Sequence, residues 1–278
     1  MRLTPRYGAD PLVTLDGDPA AIAEPTIRQR RRLVEALASF TDEQWAQQSR
    51  CAGWASRDVV VHLDSTNFFW TQSIAAGLRG EPTRFLATFD PVASPAQSVA
   101  QLHDLTTDDV LARFSESTDT LAHLLDSLDT SDWVAIAEAP PGHLTVSAVT
   151  HHALWDSWIH ERDILLPLQA EPSIEPDEVT ASLRYAAALG PALAVTRGNS
   201  ETGRLGIHAT KPDMAIVVDV GEHVAVSDSD DVADLTLTGD AVELVDALSI
   251  RRPLDQAVPA DQAWMLNGLL ETFDNATP

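Results

Sequence analysis

The stretch Val146–Leu166 constrains this chain more than any other. It is apolar around most of a helical circumference, with Trp155, Trp158, Ile159 and Ile164 falling on more than one face. Thr145 stands where an N-cap is expected. A helix of that kind must be surrounded, so other helices or a sheet have to cover it. The same stretch nevertheless carries Asp156 and His160, four residues apart and so on one face, a turn from each other. A carboxylate left without a partner in such surroundings is costly. A divalent ion would satisfy the aspartate and the imidazole together. A catalytic zinc centre usually has three protein ligands and an open position, and His62, inside the apolar run Val59-Val60-Val61-His62-Leu63, is the candidate for the third. Plainer readings stand beside this one: Asp156 and His160 as a solvated helix face, His62 as a core histidine bonded to a backbone carbonyl.

The rest of the first half supplies the helices that such a segment needs. Leu33, Leu37 and Phe40 mark an amphipathic helix from Ile27, and Thr41 opens a short helical turn. A second long helix begins near Ser56, read as its N-cap, and ends near Gly77 or Gly80. A loop with three prolines runs from Pro82 to Pro95. A third helix spans about Ser94 to Leu128, with a break between Thr106 and Asp109. Pro140-Pro141-Gly142 closes another loop before the fourth helix. Four helices with long links make a bundle, whose core is a recurrent place for metal sites.

After Pro167 the composition changes. A helix from Asp177 to Thr196 is followed by short strands at Leu205–Ala209, Ala215–Val220, His223–Val226 and Leu235–Leu237. Helices at Ala241–Ser249 and Asp261–Phe273 complete the pattern. The fold class expected is α+β, divided into an N-terminal extension (1–26), a four-helix bundle (27–170) and a smaller α+β domain (171–278).

Charge excludes some functions. With Lys+Arg 18 against Asp+Glu 42, the net charge of -24 repels phosphate backbones and anionic lipid, which argues against nucleic acid and membrane as partners. No run approaches a membrane span, and no apolar signal core follows the first residues, so a cytoplasmic protein is expected. The single cysteine, Cys51, cannot form an internal disulfide. Gly-x-Gly-x-x-Gly and the P-loop lysine pattern are both absent from the sequence.

Secondary candidates surround the main one. His152 stands four residues before Asp156, as a fourth ligand, a second-shell group or a pocket-lining residue, with His151 beside it. Glu161, Arg162 and Asp163 read as an ion-pair network at the helix end, or as groups orienting a ligand imidazole. His103 and His123 read as structural. Cys51 is a weak candidate nucleophile, having no histidine adjacent in sequence.

Cys51-Ala52-Gly53-Trp54, Arg57 through Leu63 and Trp158 through Ile164 together resemble the mycothiol-dependent maleylpyruvate isomerase family. The resemblance extends to Leu235 through Ala241 and Arg251-Arg252-Pro253-Leu254, and so covers about Ile27 to Phe273. It implies a DinB-like four-helix bundle followed by a smaller α/β, sterol-carrier-like domain. It implies a divalent metal, usually zinc, with nickel or iron as other possibilities, bound by His62, His160 and the residue at 156. There the family pattern has glutamate, and this chain has an aspartate one methylene shorter. It implies an arginine near the active site, matched by Arg251 or Arg252, and mycothiol as thiol cosubstrate. The expected activity is isomerisation or S-transfer on a small, carboxylated electrophile, by a monomer or homodimer. Two other readings stay open: a metal-dependent hydrolase or lyase using metal-bound water without a thiol, and a non-catalytic binding protein.

Overall fold

The computed structural model describes residues 3–274. In chain order these form β1 (Val13–Leu15), α1 (Ala23–Leu37), α2 (Asp42–Ala46), α3 (Ser56–Leu78), α4 (Ala93–Gln101), α5 (Thr107–Asp126), β2 (Ile136–Ala139), β3 (Gly142–Thr145) and α6 (Val146–Leu165). The second half adds α7 (Pro176–Thr196), β4 (Gly203–Thr210), β5 (Met214–Val220), β6 (Val224–Asp228), β7 (Leu235–Asp240), α8 (Ala241–Leu248) and α9 (Trp264–Asp274). The fold is α+β.

Helices α1, α3, α5 and α6 make the bundle, α1 and α3 each packing against both α5 and α6. Local chemistry sets their limits. Thr41 accepts from Gln44 N while the Gln44 side chain accepts from Thr41 N, a reciprocal cap on α2. Thr106 and Asp109 do the same for α5, which is why the expected third helix divides into α4 and α5. Ser56 is the first residue of α3 rather than its cap. Ala55 occupies that position, and the Asp58 carboxylate accepts from its N–H at 3.0 Å.

The five-stranded sheet has the order β1-β6-β5-β4-β7. The outer pairs β1/β6 and β4/β7 are parallel, the inner ones antiparallel. Leu205, Ile207, Ile216 and Val218 are fully buried by the alternation of β4 and β5, and α7 packs between this sheet and α6. One apolar cluster therefore runs from Leu154 and Trp158 of α6 through Tyr185 and Leu189 of α7 to Leu205 and Ile207. A second cluster, with Leu33, Trp45, Val59, Leu63, Phe114 and Ile164, closes one end of the bundle.

The expected N-terminal extension is tied into the fold: β1 pairs with β6, Arg6 bridges to Gly142, and Tyr7 Oη donates to the buried Glu138 at 2.7 Å. A three-residue strand is too short to show a period, and only its partner reveals it. One expectation needs correcting. Pro140-Pro141 turns a β2/β3 hairpin rather than a plain loop. Among the described residues, no helix is long and apolar enough to cross a membrane.

Candidate metal centre

His62 lies in the second turn of α3, and Asp156 and His160 lie one turn apart on the facing side of α6. The three ligand atoms fall within 4.8 Å of one another. Asp156 Oδ1 is 3.9 Å from His62 Nε2 and 3.6 Å from His160 Nε2. Tetrahedral ligands about 2.1 Å from a zinc ion stand about 3.4 Å apart, so the donors are nearly spaced for one. The imidazole rings meet edge to face at 5.0 Å, and the Trp54 ring covers His62 at 5.4 Å. Asp156 Oδ2 is buried with no hydrogen-bond partner. A buried carboxylate oxygen without a donor, beside two imidazoles, is the environment a cation satisfies.

Asp163 organises the other side of His160. Its side chain is fully buried, and Oδ2 lies 3.0 Å from His160 Nδ1. Arg251 donates to it from Nε at 3.0 and 3.1 Å and from Nη2 at 2.8 Å, Arg50 Nε at 2.8 Å, and the Cys51 thiol at 3.2 Å. With Nδ1 donating to this carboxylate, the Nε2 lone pair of His160 is left facing Asp156 and His62.

These contacts set the charge states. Burial alone would raise Asp156, but the neighbouring imidazoles of His62 and His160 hold it well below the usual carboxylate range. Burial likewise opposes ionisation of Asp163, yet His160 and Arg251 keep it low. His160 is drawn down by burial and up by Cys51, Asp163 and Asp156, the balance raising it to about 10.

Arg251 comes from the far half of the chain. Two residues after α8, Ile250 stands at φ 55, an unfavourable conformation for a β-branched residue. Ile250 N donates to Ala247 O at 3.1 Å and Arg251 N to Asp246 O at 2.8 Å. This reversal turns Arg251 off the helix and onto Asp163. Arg252, the other arginine of the pair, faces away, to Glu243 at 2.8 Å and Asp255 at 2.5 Å.

Other residues separate as clearly. His152 is buried, with Nδ1 2.7 Å from Tyr185 Oη and its ring against Trp70 and Trp155. His151 Nδ1 binds Ser147 O, and His103 and His123 are exposed and bound to the nearby backbone carbonyls of Ala100 and Asp119. Glu161 belongs to a buried ion network with Arg32, Gln29 and Glu178 that joins α1, α6 and α7. Cys51 and Arg50 were not foreseen as neighbours of the site. Cys51 Sγ lies 3.6 Å from His160 Nδ1 although the two are far apart in sequence. The loops at Pro82–Pro95 and Ala139–Leu144, natural places to look for pocket walls, have their anchor elsewhere. Thr83, Phe85 and Leu86 all bind Glu138, and Thr145 is about 16 Å of helix rise from Asp156.

The fold is thus a four-helix bundle that turns His62, Asp156 and His160 toward one point, joined to a sheet layer that returns Arg251 to Asp163. Residues 27–165 match the family model described as the mycothiol maleylpyruvate isomerase N-terminal domain, half of the sequence, and the chain belongs to that family. Two solved structures resemble it, a mycothiol-dependent maleylpyruvate isomerase and a histidine-to-alanine mutant of it. Each is 15% identical, covers 88% of this chain and 92% of its own, and superposes with a TM-score of 0.58. That likeness is one of fold. No curated protein matches the sequence.

Proposed function

We propose that this protein is a metal-dependent enzyme that uses a low-molecular-weight thiol such as mycothiol to isomerise, or transfer sulfur to, a small carboxylated electrophile. The observation that carries the reading is the convergence of His62, Asp156 and His160 within 4.8 Å, with Asp156 Oδ2 buried and without a partner. Family membership supports the thiol.

His62, Asp156 and His160 would hold the ion. Bound there, a divalent cation supplies a charge that lowers the pKa of a thiol, so that thiolate is available at neutral pH. The other steps belong to the chain's own side chains. Asp163 fixes the His160 ring and its tautomer through Nδ1. The same carboxylate holds Arg251 beside the donor set in a two-pronged contact that lysine cannot copy, placing a fixed positive charge where a substrate carboxylate would be drawn. The Trp54 ring lies tilted against His62 and packs that side of the imidazole. An isomerase and an S-transferase share these parts and differ in whether the sulfur leaves. We assign the bundle (27–170) to the metal and thiol and the later residues (171–278) to delivering Arg251.

The test combines elemental analysis with a thiol requirement. About one zinc, nickel or iron per chain, lost in His62→Ala, Asp156→Ala and His160→Ala, together with turnover only when thiol is supplied, is the expected result. Turnover without thiol would move the assignment to a hydrolase, and a wild-type protein that takes up no metal would end the metalloenzyme reading.

A further inference from the structure

Arg251 reaches Asp163 from a turn that breaks a local rule. Leu248 is the last residue of α8 and Ser249 its C-cap. Ile250 N donates to Ala247 O and Arg251 N to Asp246 O, the paired bonds of a helix end that is usually completed by a left-handed glycine. Here that residue is isoleucine, at φ 55. A β-branched side chain keeps such a backbone only where its surroundings over-determine it. A cavity of about 550 Å³ borders the turn, lined among others by Leu248, Ile250, Leu254 and Leu266, so packing on that side does not fix it.

Polar contacts with α6 fix it instead. Trp155 is 9% exposed, and its indole Nε1 donates to the Ser249 hydroxyl at 2.8 Å. A buried indole N–H needs an acceptor, and this hydroxyl is the one it has. Ser249 is 1% exposed, and its carbonyl accepts from Arg251 Nη1 at 3.1 Å. About two turns farther along α6, Arg162 reaches Asp246 at 3.1 Å and Asp163 takes Arg251 Nη2 at 2.8 Å. The end of α8 is thus tied to α6 on both sides of Ile250.

We propose that Trp155 is a positioning residue for Arg251. Through the Ser249 hydroxyl it holds the reversed end of α8 against α6, so that the helix carrying Asp156 and His160 also sets where the arginine lies. Without that bond the backbone at Ile250 relaxes toward negative φ, and the direction in which Arg251 leaves the helix changes with it. The consequence for catalysis rests on the reading of Arg251 as the charge that draws a substrate carboxylate; the placement itself does not.

The arginine Nε–H signals in proton–nitrogen correlation spectra of the full chain read the placement without substrate or metal. Those of Arg251 and Arg50, both donated to Asp163, are assigned by their loss in Arg251→Lys and Arg50→Lys. Trp155→Phe keeps an aromatic ring without the donor, and Ser249→Ala removes the acceptor, so either carries the test should the other fail to fold. In both, solvent exchange of the Arg251 Nε–H is expected to quicken about tenfold while that of Arg50 stays within about twofold. Ser249→Thr, which retains the hydroxyl, is expected to match wild type. Unchanged exchange at Arg251 overturns the proposal, and so does equal acceleration at Arg50 and Arg251, because loss of packing alone would free both. Succinate, a small dicarboxylate, probes the consequence: it is expected to shift the Arg251 signal in wild type and to bind about tenfold more weakly to Trp155→Phe. Equal succinate affinity in the two overturns the link to substrate binding. If succinate leaves the wild-type signal in place while exchange responds to Trp155→Phe, the carboxylate reading of Arg251 fails and its positioning by Trp155 stands.

Discussion

Replacing Asp163 by alanine is the most informative single perturbation. The carboxylate has no exposure of its own and accepts from His160, Arg251, Arg50 and Cys51. Breaking a buried ion pair from one side costs about 3–5 kcal/mol because the partner charge stays behind. Arg50 and Arg251 retain 22% and 20% exposure and partly rehydrate, which favours the lower end, about 3 kcal/mol. For 278 residues, an unfolding entropy of roughly 0.6 kcal/mol/K converts this into a drop of about 5 °C in Tm. His160 also loses the acceptor that orients it, so zinc affinity should fall by about 10- to 100-fold. The sign with pH follows from Asp163 being held low when folded: its contribution is complete above the ordinary aspartate range and is lost as pH falls below about 4. The assays are urea denaturation across pH, with and without chelator, and competitive zinc titration. Asp163→Asn, which keeps an acceptor, should lie between wild type and Asp163→Ala in both. A variant Asp163→Ala with the wild-type midpoint and wild-type zinc affinity would refute the reasoning.

Three further outcomes are expected. Arg251→Lys cannot make the two-pronged contact with Asp163 and should lower thiol-dependent kcat/KM at least about tenfold. Arg252→Ala, whose partners are Glu243 and Asp255, should leave it within about twofold, and equal losses would contradict the division between the two arginines. His152 is held down at about 4 by burial, so the stability it contributes is complete above about pH 6.5 and declines as pH falls toward 4, by up to ~3 kcal/mol. His152→Phe should flatten that part of a pH series of denaturation midpoints, and an unaltered series would count against a neutral buried imidazole. Gly77→Ala would place a Cβ 2.3 Å from the Ile136 carbonyl oxygen, backbone against which α3 has no slack. A loss of about 1–3 kcal/mol is expected in denaturant, and an unchanged midpoint would show that α3 and β2 are not that close.

Periodicity, caps and turn residues act over a few positions, and whatever depends on them was legible in the sequence. The apolar circumference of α6 required a surrounding bundle, Thr41 and Thr145 marked helix starts, Thr106 fell at an expected break, and the spacing of Asp156 and His160 put them on one face. His62 was suggested by an imidazole in an apolar run, but its 3.9 Å approach to Asp156 depends on how α3 packs on α6. Only tertiary structure chose between Arg251 and Arg252, because the choice rests on the reversed backbone at Ile250 and on Asp163 lying opposite. The same holds for β1, which gains its partner from β6 more than two hundred residues later, and for Cys51, which stands beside His160 although the two are far apart in sequence. Local chemistry decides which element a residue joins. Charges and ligands meet across elements, and burial, which gives those meetings their energy, exists only once the chain is packed.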